Sequence, residues 1–190
     1  TVPLLAGLFF GYLLAKNKLL NQHLKTLAHT DMLTGVFNRM MLEHMLEAEI
    51  LKTNRYGGTF SIIFLDIDNF KRVNDQFGNQ TGDLVLSDFS HLIKKVNRLS
   101  DLTARYGGEE FVVILPGVNA KGANLAAERL RSIIEKHVFQ SGQSTVPVTT
   151  SVGTASLTMR DTTESMIERA DKALYSAKNA GRNCVVNVEA

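Results

Sequence analysis

Apolar residues follow two patterns along this chain, short continuous runs and helical spacing. Continuous runs and strict alternation are typical of strands, and they predict strands at residues 60–65, 102–106, 111–115, 146–157 and 183–188. Spacing of three and four residues predicts helices at residues 38–52, 119–137 and 161–179, a short one after residue 68, and one from about residue 82. Strands that alternate with helices indicate an α/β or α+β sandwich.

Side chains that can cap a helix mark two of the predicted helix starts. Asn38 precedes the first helix and is predicted to be its N-cap residue. Asp161 and Glu164 are predicted to form a capping pair for the last helix. Pro116 and Gly117 end the strand before them.

The first thirty residues have a different composition from the rest. Residues 1–15 are almost wholly apolar and are followed by Lys16 and Lys18, which predicts the C-terminal part of a transmembrane helix with cytoplasmic lysines. A cleaved signal sequence or a helix buried in an oligomer are the alternatives. Residues 16–29 are interpreted as a helical signalling linker. Its leucines recur every seven residues, as in a short coiled coil or an ordinary amphipathic linker. Residues 30–190 form the predicted globular domain.

Composition limits the possible functions without selecting one. The formal net charge is +2, so charge alone gives no argument for nucleic-acid binding. The single cysteine, Cys184, excludes an internal disulfide framework and suits a reducing compartment. The five histidines lack the spacing of metal ligands.

Two groups of acidic residues lie at the ends of predicted strands. Glu109 and Glu110 follow the turn residues Gly107 and Gly108 and begin a core strand. Asp66 directly follows the predicted strand at residues 60–65, and Asp68 lies two residues further on. Acids from two strand ends are suited to a hard divalent cation that serves substrate phosphates, although an isolated hairpin tip of this kind is more often only solvated.

These segments, taken in order, resemble the diguanylate cyclase family, the GGDEF domains, which convert two GTP into cyclic di-GMP. The resemblance covers about residues 30–188 and includes a GGEEF variant of the signature. It implies a nucleotidyl cyclase-like fold with a mainly antiparallel sheet of about five strands, wrapped by helices. The matching segments are residues 31–35, 38–39, 66–75, 82–83, 98–101, 107–111, 170–178 and 181–183.

The resemblance also implies roles for individual residues. The implied metal ligands, for two Mg²⁺ ions with Mn²⁺ as a possible substitute, are Asp66, the Ile67 carbonyl, Glu109 and Glu110. The implied catalytic residues are Glu109, Glu110 and Lys71. The implied substrate-binding residues are Asn74 and Asp83 at guanine, Lys71, Lys178 and Arg182 at the phosphates, and Asn79. Lys178 and Arg182 could instead compensate a helix dipole, and Asp83 could be a helix N-terminal acid.

An inhibitory product site is implied as well. Arg98 and Asp101 match the RxxD motif of that site, and Arg129 is the candidate second arginine. Taken alone, RxxD is a common surface pairing. The chain departs from the usual family pattern at Asn79, where the family commonly has His, and at Met40, where it often has Arg. Altered substrate affinity or packing is expected from these departures, with activity retained.

The expected function is that of a product-inhibited diguanylate cyclase. Two copies are expected to meet as a homodimer, attached to the bacterial inner membrane with the catalytic domain in the cytoplasm and with no nucleic-acid partner. A degenerate domain that binds cyclic di-GMP or GTP as a receptor is one alternative, and a cyclase of mixed cyclic GMP-AMP is another. The presence of residues 107–111 with Asp66 and Lys71 disfavours the receptor.

Overall fold

The computed structural model describes residue 16 and residues 29–142 and 144–187. Helices and strands alternate through most of this part of the chain. In order they are α1 (Arg39–Tyr56), β1 (Phe60–Ile67), α2 (Phe70–Phe77), α3 (Asn79–Val96), β2 (Leu102–Gly107), β3 (Glu110–Pro116), α4 (Ala120–Lys136), β4 (Phe139–Ser141), β5 (Ser144–Val146), β6 (Thr150–Ser156), α5 (Thr163–Asn179) and β7 (Val185–Asn187).

The core of the domain is a five-stranded sheet in the order β2-β3-β1-β6-β7. The three contacts among β2, β3, β1 and β6 are antiparallel, and β7 adds to β6 in parallel. Strand β1 lies in the middle, and all eight of its residues are buried. A strand covered on both faces needs no polar positions, which is why its sequence is nearly continuous in apolar residues. The predicted α+β fold with a mainly antiparallel five-stranded sheet is confirmed.

The two faces of the sheet have separate hydrophobic cores. Ile63, Leu65 and Ile67 of β1 pack with residues of α2, α3 and α4. Ile62 and Phe64, the alternate residues, pack with residues of α1 and α5. Because side chains alternate between the faces of a strand, Asp66 points to the same side as Phe64, towards α1 and α5.

The predicted start of the first helix is confirmed. The Asn38 side chain accepts a hydrogen bond from the backbone N–H of Met41 at 3.0 Å and caps α1. Helix α3, in contrast, begins at Asn79, three residues before the expected start near Gly82. Asp83 therefore lies inside the helix, and its role as an N-terminal acid of the first turn is wrong.

The strand predicted at residues 146–157 is confirmed only from Thr150 to Ser156. Strand β5 ends at Val146 and pairs only with β4 in a separate two-stranded sheet. The central sheet is rejoined at Thr150, where β6 begins. Pro147 lies between the two strands, and proline cannot donate the hydrogen bond that a continuous ladder requires.

The predicted capping pair of the last helix is also wrong. The residues that cap α5 are Thr162 and Ser165, each of whose side chains bonds the other's backbone N–H. Asp161 instead accepts hydrogen bonds from Thr158, Ser165 and Arg169. Three hydroxyl or acidic side chains in succession could each cap this helix, and the sequence pattern alone does not distinguish them.

The outer edge of β2 is covered by the segment before α1. The backbone N–H of Phe37 donates to the Thr103 carbonyl at 3.1 Å, and the N–H of Arg105 donates to the Phe37 carbonyl at 2.8 Å. Phe37 thus forms an isolated parallel bridge with Ala104. This bridge holds the segment before α1 beside the hairpin of β2 and β3, whose turn carries the acids predicted from the sequence.

The membrane-span prediction falls on residues 1–15, which lie outside the described residues, as do residues 17–28 of the linker. Among the helices that the structure describes, each is too short or too polar to cross a membrane.

Candidate active site

Strand pairing brings the predicted acidic residues of β1 and β3 together. Asp66 lies directly opposite Glu110 in the antiparallel register. The backbone N–H of Ile67 approaches the carbonyl of Glu109 at 3.4 Å, which closes the ladder at the start of the hairpin turn. Four predicted site residues, Asp66, Ile67, Glu109 and Glu110, are therefore neighbours at one end of the sheet, called here the acidic tip.

A lysine from α5 compensates part of the charge of the acidic tip. Lys178 Nζ lies 2.7 Å from Asp66 Oδ2, and the Asp66 side chain is only 7% exposed. Burial raises the pKa of Asp66 above its ordinary value, Lys178 opposes this, and the charges of Glu109 and Asp68 add to it. Burial and the charge of Asp66 likewise raise the pKa of Glu110. Lys178 does not fully offset these costs, so a bound cation would relieve them.

The donor set at the acidic tip fits a hard divalent cation. Carboxylates and a backbone carbonyl are the oxygen ligands that Mg²⁺ prefers, and Mg²⁺ is normally completed by water and substrate phosphates. Within the described residues, no group of three or more His, Cys, Asp or Glu side chains is arranged so that it could hold a metal ion. A cation at the tip would need further ligands, and water and substrate phosphates are the usual ones for Mg²⁺.

Asp68 has a different role from the other acids, although the sequence groups them together. Its carboxylate accepts hydrogen bonds from the hydroxyls of Thr149 and Ser151 at 2.7 and 2.6 Å, and from the backbone N–H of Asn183 at 3.0 Å. A carboxylate with these donors is held in place by the fold. The oxygens of Asp68 are thus taken up by hydrogen bonds to the start of β6 and to the loop after α5, although its charge still acts on Asp66.

The predicted guanine-binding residues come from two adjacent helices. Asn74 lies on α2 and Asp83 on α3, and the turn between these helices is made at Gly78, whose φ is 85°. A Cβ on Gly82 would lie 1.9 Å from Oδ1 of Asn74. Gly82 is thus what permits α3 to approach the Asn74 side chain. Sequence reasoning missed this role, and a glycine inside a helical pattern was the available signal.

The predicted phosphate-binding residues border the same end of the sheet. Lys178 lies in the last turn of α5, Arg182 is exposed in the loop that follows, and Lys71 is exposed on α2. The N–H of Arg182 donates to the Ala177 carbonyl at 3.1 Å, which fixes the loop to the helix end. Asn79, the departure from the family pattern, is the exposed first residue of α3.

An ion pair that the sequence did not assign supports the hairpin turn. Arg105 donates to the Gly108 carbonyl at 2.8 Å and to Asp31 at 3.1 Å. Asp31 also accepts from the backbone N–H and the hydroxyl of Thr34. Burial opposes ionisation of Asp31, but the Thr34 hydrogen bonds and the Arg105 charge outweigh it and lower the pKa of Asp31. The turn that presents Glu109 and Glu110 is thereby fixed to the start of the domain.

Asp31→Asn is expected to destabilise the fold by about 1 kcal/mol at pH 7, because charge-assisted hydrogen bonds are lost. A carboxyl group whose pKa is lower in the folded state than in the unfolded state stabilises the fold at every pH above its unfolded-state pKa. This stabilisation is lost as the pH falls through the folded-state pKa. Urea unfolding should therefore show a gap between wild type and variant that narrows only below the ordinary value of 3.8. Glu43→Gln, which removes an exposed ion pair with Arg39, should change little. A gap independent of pH would contradict the charge argument.

An open groove leads from the acidic tip along the face of the sheet between α1 and α5. Its volume is about 1170 Å³, and Glu110, Asp171 and Arg39 line it. The Arg39 guanidinium lies over the Tyr106 ring, 4.3 Å from its centroid, and Tyr106 contacts Phe64 edge to face. The aromatic stack fixes the base of the hairpin. None of the predicted substrate-binding side chains of α2, α3 and the loop after α5 lines this groove, so it lies beside the acidic tip but apart from them.

The three residues of the predicted inhibitory site also lie close together. The backbone N–H of Arg98 donates to Asp101 Oδ2 at 2.8 Å. Arg129 of α4 donates to the carbonyl of Val96, two residues before Arg98. A cavity of about 280 Å³, lined by Lys94 as well as by Arg98 and Asp101, opens beside this motif.

The fold and the acidic tip define the class of the protein, the GGDEF domains. The coiled coil and GGDEF domain of DgcB from Caulobacter crescentus, solved in complex with c-di-GMP, superposes with a TM-score of 0.86 at 31% identity. That comparison covers 94% of this chain and 97% of that one. Diguanylate cyclase SiaD from Pseudomonas aeruginosa, solved with its activator SiaC, superposes with a TM-score of 0.83 at 34% identity. That comparison covers 97% of this chain and 70% of the SiaD chain.

This chain belongs to the diguanylate cyclase GGDEF domain family. The family profile, described as "Diguanylate cyclase, GGDEF domain", matches residues 28–184. Diguanylate cyclase DgcP from Pseudomonas aeruginosa is 42% identical over 156 residues, 82% of this chain and 23% of that protein. Diguanylate cyclase A from Treponema denticola is 39% identical over 172 residues, 87% of this chain and 46% of that protein. The resemblance found in the sequence is confirmed, and the chain spans less than half the length of these two relatives.

Proposed function

We propose that this chain condenses two GTP molecules into cyclic di-GMP and releases two pyrophosphates, with Mg²⁺ or Mn²⁺ as cofactor. The observation that supports this most strongly is the direct opposition of Asp66 and Glu110 beside Lys178. It places acidic metal ligands and a phosphate-binding cation at one strand end. In each half-reaction, the 3′-oxygen of one GTP attacks the α-phosphorus of the other, and pyrophosphate leaves.

Asp66, Glu109, Glu110 and the Ile67 carbonyl would hold the metal ions. The ions would neutralise the triphosphate and make the attacking 3′-hydroxyl more acidic. The residues themselves act by charge and position. Lys178, with Lys71 and Arg182, binds the phosphates where negative charge accumulates. The carboxylate of Glu109, at the hairpin turn, accepts the proton of the attacking hydroxyl.

Asp83 favours guanine over adenine in this proposal. A carboxylate can accept hydrogen bonds from N1–H and from the exocyclic amino group of guanine at the same time, and adenine has no such pair of donors on that edge. Asn74, held against Gly82, adds a second polar contact. The mixed cyclic GMP-AMP product is disfavoured for this reason.

Catalysis requires two copies in this proposal, because each domain binds one GTP and the product contains two. A two-fold axis brings the same surface of both copies together, so two acidic tips would face each other across two nucleotides. Anchoring at the bacterial inner membrane, with the domain in the cytoplasm, is proposed from the apolar residues 1–15 and the lysines that follow.

Incubation of the purified protein with Mg²⁺ and GTP, ATP or both, over a range of protein concentrations, tests the proposal. Mass spectrometry of the products should show cyclic di-GMP, formed at a rate per chain that rises with protein concentration. Binding of GTP or cyclic di-GMP without any product would favour the receptor function. A mixed product would show that Asp83 does not select guanine.

Arg98→Ala is expected to remove product inhibition while leaving the initial rate nearly unchanged. We propose that cyclic di-GMP binds Arg98, Asp101 and Arg129 and favours a restrained state, with a differential of about 1–3 kcal/mol, as is typical of allosteric coupling. Progress curves of wild type should stall as product accumulates, and those of the variant should continue. Lys95→Ala, an exposed cation in the last turn of α3, serves as the control. Curves that stall at the same product concentration in wild type and Arg98→Ala would contradict the assignment.

A further inference from the structure

The loop after α5 has an unusual backbone next to the proposed phosphate site. Three successive residues, Gly181, Arg182 and Asn183, have φ values of 115°, 67° and 45°. Glycine adopts positive φ easily and asparagine tolerates it, but arginine does so at a cost. The surrounding structure must therefore hold Arg182 in this conformation.

The contacts that hold this loop come mainly from Asn183. Its Oδ1 accepts a hydrogen bond from Arg131 Nη1 at 2.8 Å, and its Nδ2 donates to Glu135 Oε1 at 2.6 Å. Arg131 also donates to the second oxygen of Glu135 at 2.9 Å, so the three side chains form a closed ring of hydrogen bonds. Arg131 is only 15% exposed and is fixed further by Glu128. The asparagine thus docks the loop on a prearranged ion pair of α4.

The backbone of Asn183 connects this ring to the acidic tip. Its N–H donates to Asp68 Oδ2 at 3.0 Å, and Asp68 is two residues from the proposed metal ligand Asp66. On the other side, Asn183 directly follows Arg182. One residue therefore joins helix α4, the turn after β1 and the phosphate-binding loop.

We propose that Asn183 is a positioning residue for GTP binding, which fixes the Arg182 backbone so that its guanidinium faces the nucleotide phosphates. This inference rests on the proposed function, in which Arg182 binds the phosphates. Asn183 does not touch the substrate and acts through its neighbour. Its loss should weaken GTP binding more than it slows the chemical step.

Asn183→Asp tests this directly. Aspartate also tolerates positive φ, and its carboxylate still accepts the hydrogen bond from Arg131. It cannot donate to Glu135, however, and instead places a second carboxylate beside the Glu135 carboxylate. The loss of a hydrogen bond to a charged group should weaken binding of a GTP analogue with an α,β-methylene bridge by about tenfold. Calorimetry with Mg²⁺ present should show this, and kinetics with GTP should show a raised KM with kcat changed by less than about threefold.

Combining Asn183→Asp with Glu135→Gln should restore binding to within about twofold of wild type. The introduced amide can donate to the introduced carboxylate and accept from Arg131, so the ring of hydrogen bonds is closed again with donor and acceptor exchanged. Asn183→Gly, which allows positive φ but lacks both side-chain bonds, should bind as weakly as Asn183→Asp and replaces it if that variant does not fold. Recovery of thermal stability without recovery of binding would overturn the inference.

Two further variants separate this inference from the proposed function. Arg182→Ala should weaken binding of the GTP analogue. Adding Asn183→Asp to this variant should cause little further loss, because both substitutions remove the same contact, the one between Arg182 and the phosphates. If Arg182→Ala binds normally, the phosphate role of Arg182 fails. If only Arg182→Ala weakens binding, the positioning role of Asn183 fails. Asn179→Asp adds the same charge at an exposed position of α5, and an equal loss there would attribute the effect to charge alone.

Discussion

Glu109→Gln is expected to lower the rate of cyclic di-GMP formation by at least about 10²-fold, as when one preorganised electrostatic group is lost from an active site. The amide keeps the size of the side chain but loses the negative charge that, in the proposed function, holds a metal ion and accepts a proton. Glu109 lies at the hairpin turn, only partly buried, so the fold does not depend on its charge. Product formation measured by mass spectrometry should fall while the melting temperature in the absence of ligands stays within a few degrees of wild type.

Asp66→Asn should lower the rate by a similar factor. The increase in activation free energy in the double variant should be far smaller than the sum of the two single increases, since the two acids would share an ion. Glu47→Gln, an exposed acid in the same groove, is the control and should retain wild-type turnover. If Glu109→Gln keeps more than half of wild-type turnover, the assignment of the acidic tip as the metal site is wrong.

Gly153→Ala is expected to destabilise the domain by about 3 kcal/mol or more, at the upper end of the range for overpacked cores. Gly153 lies in β6 where α5 crosses it. A Cβ there would lie 2.2 Å from the Ala170 carbonyl oxygen and 2.4 Å from the Leu174 nitrogen. Both are backbone atoms, so the helix would have to move as a unit. Because Lys178 lies in the last turn of α5, the variant should also lose activity.

Gly122→Ala provides the matched control for this prediction. Its added Cβ would meet Val118 Cγ1 at 2.8 Å, and a side chain can rotate away. Alanine also favours the helix over glycine by nearly 1 kcal/mol, so the net change in α4 should be small. Denaturant unfolding of the two variants should therefore differ widely. Equal stability of Gly153→Ala and wild type would mean that α5 is not held against β6 as closely as the structure has it.

Local signals in the sequence were sufficient for most of the framework. Strand β1 was predictable because burial on both faces leaves an apolar run, and α1 because Asn38 is a strong cap. The acidic tip was predictable because its members lie at strand ends beside two glycines. These features depend on residues adjacent in the sequence or on uniform burial of a whole strand, so a pattern of residue types is enough to identify them.

Features that depend on distant contacts could not be predicted. The distinct role of Asp68 depends on Thr149, Ser151 and Asn183, which are separated from it by 81 to 115 positions in the sequence. The need for Gly82 depends on Asn74, which is near in the sequence but belongs to another helix, so it follows from the packing of α2 against α3. A sequence pattern reports the residue type at a position but not which side chain the fold places against it.

The bridge at Phe37 has a consequence for association between copies of the domain. An open sheet has two edges whose unpaired N–H and C=O groups can recruit a strand from another molecule and start aggregation. The bridge occupies part of the β2 edge, and at the opposite edge the described part of β7 spans three residues, Val185–Asn187. Edge-to-edge growth is thereby disfavoured on both sides. Two domains at high local concentration can then meet through other surfaces without polymerising through their sheets.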